Sequence, residues 1–103
     1  MPEIALHTVL KPGMERAYGE THANQPPAMT QTLRDAGVAD WRIWRSGLHL
    51  FHLIEVRDWN AMNLHLAASA VNAEWDKTMS EFLDQPPDWK GAEAGISLVW
   101  RIQ

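Results

Sequence analysis

The chain has 103 residues, 46% hydrophobic and 21% charged, a size and balance that suit one folded domain and exclude both a multidomain enzyme and wholesale disorder. Thirteen acidic residues against nine basic ones give a formal net charge of -4, and no cluster of Lys or Arg forms a stripe that could neutralise phosphates, so nucleic acid is not an expected partner. There is no cysteine, which excludes disulfides, thiol nucleophiles and Cys-type metal sites, while six tryptophans are many for this length and imply either a Trp-rich core or a surface that stacks on ringed ligands.

Residues 3–10, "EIALHTVL", alternate Ile4, Leu6 and Leu10 with Ala5, His7 and Val9, which predicts a strand ending at Lys11-Pro12-Gly13. From Met14 to Ala36 the spacing turns helical. Pro26 and Pro27 interrupt it and predict a kink or two short helices, with Gly37 placed as a C-terminal cap. "DWRIWR" (40–45) and "LHLFHLIEVR" (48–57) flank Ser46-Gly47 and predict a hairpin. Asp58 and Ser69 stand as N-caps of two helices, the second carrying Val71, Trp75, Met79 and Phe82 and ending by Pro86-Pro87. A loop with Gly91 and Gly95 leads to a last predicted strand, "ISLVWRI" (96–102).

The order strand, helix, strand, strand, helix, strand predicts an α+β fold: a ferredoxin-like βαββαβ domain with a four-stranded antiparallel sheet and helices on one face. Several strands are apolar on both sides, so the second face needs a cover. A second copy is the simplest one, which predicts a homodimeric α+β barrel with two-fold symmetry. No apolar run approaches the roughly twenty residues of a spanning helix, and no signal peptide is visible; a cytoplasmic protein is expected.

The residues that carry chemistry are few. Tyr18 and His22 lie four apart on a helix and so share a face, just before the proline break, where an imidazole could exchange a proton near neutral pH. Taken alone they would also serve as two amphipathic residues at a helix rim. The five histidines do not suggest a metal, since His49 and His52 point to opposite faces of one strand and His65 lacks ligands at a recognisable spacing. Serines without a nucleophile elbow and glycines without a phosphate loop exclude triad hydrolysis and nucleotide binding. Trp75 fits a core stripe. Of Trp41 and Trp44, three apart, at least one faces the concave side, where an indole could stack on the C–H face of a sugar.

These residues resemble the L-rhamnose mutarotases, small dimeric α+β barrels that interconvert the α and β anomers of 6-deoxyhexoses. The resemblance rests on "HTVLKPGMERAYGETH", Pro27, "LRDAGVADWRIW", the strand up to Glu55, and "AEWDKTM". It implies that His22 transfers the proton and that Tyr18, Trp41 and the pair Glu74-Trp75 approach the sugar, with no metal, cofactor or covalent intermediate. Thr21 before His22, Gln25-Pro26-Pro27 after it, Trp41 in place of a common Tyr, and Glu74 in place of the first of two tryptophans are departures. They bear on the choice between L-rhamnose and L-fucose more than on the reaction. Two other readings fit the same barrel: a monooxygenase acting on haem or a quinone, and a non-enzymatic sugar-binding or interaction module.

Overall fold

The computed structural model describes residues 2–85 and 95–102. The expectations for Pro86-Pro87 and Gly91 lie outside the described residues. Strand β1 (Glu3–Val9) is followed by helices α1 (Glu15–Ala23) and α2 (Pro27–Asp35), the hairpin of β2 (Val38–Ser46) and β3 (His49–Val56), and helices α3 (Trp59–Ala67) and α4 (Ala70–Ser80).

Local chemistry sets these boundaries. Pro26, extended at φ -56°, cannot continue α1, and Pro27 starts α2 at a first-turn position where its missing N–H costs nothing. Gly37, at φ +97°, takes the left-handed conformation that ends α2, and its N–H donates to the Arg34 carbonyl at 3.0 Å. Asp58 Oδ1 accepts from the Ala61 N–H at 3.0 Å and Ser69 Oγ from the Asn72 N–H at 3.1 Å, so both expected N-caps form.

The sheet is antiparallel in the order β1-β3-β2, with Leu6 opposite His52 on one side of β3 and Ile43 opposite His52 on the other. Among the described residues it has three strands, not the four expected. Residues 96–102 form no strand; the segment meets β1 where the Ile96 N–H donates to the Ala5 carbonyl at 2.6 Å, and beyond that point Val99 is 96% and Trp100 74% exposed. Alternating apolar residues report which sides want cover and not which neighbour supplies the ladder, and among the described residues nothing covers Leu98 to Ile102. Gly95 is required there: at φ +103°, a Cβ would come within 2.6 Å of the Ala5 oxygen.

All helices pack on the face bearing the even-numbered residues of β1 and β3. Two apolar cores form under them. One gathers Leu6, Val38, Ile54, Val56, Met62 and Leu66, and the other Leu10, Tyr18, Leu50, Met79 and Leu83. Between them on the sheet lies a polar seam, Thr8 on β1 and His52 on β3, both buried. The opposite face of the sheet presents His7, His49, Phe51 and Trp44 to the outside.

Candidate functional site

The helices and the inner sheet face enclose a cavity of about 880 Å³, within the range typical of small-molecule sites. Its walls are the α1 residues Tyr18 and His22, Trp41 and Ile43 of β2, Trp75 and Asp76 of α4, and the seam residues Thr8 and His52.

One turn of α1 brings the Tyr18 and His22 rings to 4.3 Å between centroids, tilted by 44°. The Tyr18 carbonyl lies 3.1 Å from His22 Nδ1; a carbonyl only accepts, so in the neutral imidazole Nδ1 carries the proton and Nε2 is a free acceptor nitrogen. Burial lowers the pKa of His22 from its ordinary value, and the bond to the Tyr18 carbonyl opposes that only in part, so the imidazole is neutral at pH 7. Burial raises the Tyr18 pKa, keeping the phenol protonated. Trp75 stands edge-on to His22, centroids 5.2 Å apart at 82°, and Phe82 edge-on to Tyr18 at 6.3 Å. The proline break places Gln25 in the same wall, where its Oε1 accepts from the Thr30 hydroxyl at 2.7 Å.

Of the expected residues, Tyr18, His22, Trp41 and Trp75 are brought together around the cavity. Glu74 is not: it is exposed on α4 and absent from the lining. The α4 residues that line the cavity are Asn72, Trp75, Asp76, Met79 and Ser80, one stripe spaced three and four apart, and Glu74 lies off that stripe. The carboxylate of α4 that does line the cavity is Asp76, to whose Oδ2 the Asn72 Nδ2 donates at 3.3 Å. Trp41 faces inward, whereas Trp44 stands on the outer face with the Arg42 guanidinium 5.4 Å over its ring.

Sequence reasoning also missed the part played by His52. It lies 5% exposed on the cavity floor, accepting at Nδ1 from the Trp41 indole N–H at 3.1 Å, with Thr8 Oγ1 3.0 Å from its Nε2. Burial, then the nearby His22 and His7, push its pKa down to about 4. The available signal was its alternation with Leu50 and Ile54, because a histidine on an apolar face must be hydrogen-bonded. Among the described residues no group of three or more His, Cys, Asp or Glu could hold a metal ion, and His49 and His52 do face opposite sides of the sheet.

Fold and cavity thus define a small α+β domain with a half-buried histidine set among aromatic rings, a site suited to a compact polar ligand. The family model described as L-rhamnose mutarotase matches residues 3–102, and the chain belongs to that family of anomer-interconverting isomerases. The chain is 32% identical over 104 residues to an L-rhamnose mutarotase of Paraburkholderia phytofirmans, covering 99% of this chain and 96% of that one. The crystal structure of an L-rhamnose mutarotase from Formosa agariphila superposes with a TM-score of 0.79 at 23% identity, covering all of both chains. A conserved protein from Methanosarcina mazei gives 0.61 at 20% identity over 81% of each. These two likenesses speak for the fold. The monooxygenase and binding-module readings draw no support from the comparisons. Among the described residues no helix is long and apolar enough to cross a membrane.

Proposed function

We infer that the protein catalyses exchange between the α and β anomers of L-rhamnose, with His22 as the proton-exchanging residue. Mutarotation moves a proton from the anomeric hydroxyl O1 to the ring oxygen O5 as the C1–O5 bond breaks and an aldehyde forms. Rotation about C1–C2 and the reverse steps then close the other anomer. O1 and O5 share C1, so one imidazole nitrogen can reach both. His22, neutral with Nδ1–H tied to the Tyr18 carbonyl, takes the O1 proton at Nε2 and delivers it to O5. Tyr18 stays protonated and orients sugar or imidazole by hydrogen bonding, while the Trp41 and Trp75 rings offer faces and edges to sugar C–H groups. The observation that carries this reading is the Tyr18–His22 pair facing a cavity lined by both tryptophans in a chain of this family.

The test is NMR saturation transfer between anomeric protons, run on L-rhamnose, L-fucose and other aldoses. Faster exchange on L-rhamnose is expected. Acceleration of L-fucose alone would shift the substrate, and acceleration of none would refute the reading.

We infer further that a second copy covers the open sheet face. Trp44 is 52% and Phe51 41% exposed there, in a row with His7 and His49, and the apolar segment 96–102 adds to the area available. Light scattering should return twice the chain mass. A protein of this small size and lacking cysteine is consistent with the cytoplasm.

A further inference from the structure

We propose that Thr8 is a sugar-binding residue, a hydroxyl donor on the cavity floor, and that His52 is the positioning residue that aims it while holding the Trp41 indole edge. The proposal rests on the mutarotase reading above and extends it to residues outside the His22 set.

The argument is one of donors and acceptors. An indole N–H can only donate, so the 3.1 Å contact makes His52 Nδ1 an acceptor without a proton. The neutral imidazole then carries its single proton on Nε2, 3.0 Å from Thr8 Oγ1, which accepts it. Burial keeps the imidazole neutral, so this tautomer persists across the physiological range. Having accepted from His52, the Thr8 hydroxyl must direct its own proton elsewhere. Among the described residues Oγ1 has no second hydrogen-bond partner, and Thr8 is a cavity wall, so that proton is offered to what the cavity holds.

Burial makes the arrangement costly unless it is used. Thr8 is 7% and His52 5% exposed, and they interrupt an apolar sheet face that would otherwise run from Leu6 to Leu10 and from Leu50 to Ile54. With the Trp41 N–H bonded to His52, the indole meets the sugar by its carbon surface. The floor is therefore a flat apolar plate with one fixed donor beside it. A 6-deoxyhexose, with an apolar methyl and C–H faces and a few hydroxyl acceptors, is the class of ligand that matches. L-Rhamnose and L-fucose differ in configuration at C2 and C4, and a single fixed donor is a means of telling them apart.

The experiment combines a spectroscopic and a kinetic arm. In a long-range 15N correlation spectrum at pH 7, His52 should show an unprotonated Nδ1 and a protonated Nε2; the opposite or an averaged tautomer would overturn the proposal. Anomer exchange is then measured for wild type, Thr8→Val, Thr8→Ser, His52→Leu and Thr8→Val with His52→Leu. Loss of one neutral hydrogen bond to substrate should raise KM about 5- to 10-fold in Thr8→Val with kcat changed less than about 2-fold, and Thr8→Ser should restore wild-type KM. His52→Leu should raise KM by a similar factor, and the double variant no further, because both remove the same contact. An unchanged KM in Thr8→Val, or multiplied effects in the double variant, would overturn it. A wild type that accelerates no sugar would fail the functional reading and take the sugar contact with it, a result distinct from a working wild type matched by Thr8→Val.

Discussion

The two faces of the sheet carry histidines in opposite circumstances. On the inner face His52 is sealed under the helices and fixed between Trp41 and Thr8. On the outer face His7 and His49 stack at 5.2 Å, with His7 Nε2 2.9 Å from His49 Nδ1, and both are exposed. The two faces of one sheet thus place the same side chain in a desolvated site, where each donor and acceptor must be assigned, and on an open surface, where water can substitute for any partner.

The largest expected effect separates the two faces directly. His22→Asn should lower catalysed anomer exchange by about a hundredfold or more, the usual scale of general acid–base help, whereas His49→Asn should leave the exchange rate per active site within about twofold.

Acidification gives the next largest effect and acts on the inner face. The folded state holds His52 at about 4, against 6.5 for the free side chain. Because the folded pKa is depressed, the contribution to stability is complete above pH 6.5 and is lost as pH falls from there toward 4, amounting to up to about 3 kcal/mol. Chemical denaturation at pH 7.5, 5.5 and 4.5 should show this fall in wild type and a shallower one in His52→Gln. The lowered pKa of His22 has a related consequence for activity: kcat/KM should be flat through neutral pH and decline only below the ordinary histidine value.

On the outer face, Trp44→Glu with Phe51→Lys places charges where a second copy is proposed to sit. A dimer dissociation constant raised by about a hundredfold is expected by sedimentation or light scattering, with the fold retained by circular dichroism. A mutant that associates as wild type does would locate the interface elsewhere. The smallest contrast lies on α4. Asp76→Asn should raise KM a few-fold, about the worth of one hydrogen bond, while Glu74→Gln, exposed and outside the cavity, should be indistinguishable from wild type.

Legibility followed the range of the signal. The Pro26-Pro27 break, the Asp58 and Ser69 caps, the Gly37 stop and the hairpin are written in neighbouring residues, and the structure has all of them. Tyr18 and His22 were legible as a pair because a helix turns a spacing of four into contact. His52 was visible as a polar residue among apolar ones, but its partners are 11 and 44 residues away, and no local rule reaches that far. Glu74 falls outside the stripe of α4 that lines the cavity, whereas Asp76, two residues on and about 200° further round the helix, falls within it. The last strand was expected from a genuine alternation in 96–102, yet a strand also requires a neighbour, which the segment itself does not report.

The most direct test of the account is saturation transfer between the anomeric protons of L-rhamnose with wild type and with His22→Asn, each first shown to be folded. Fast exchange with wild type that drops to near the uncatalysed rate in the variant is the predicted result. Equal acceleration by both proteins would contradict the assignment of proton exchange to His22.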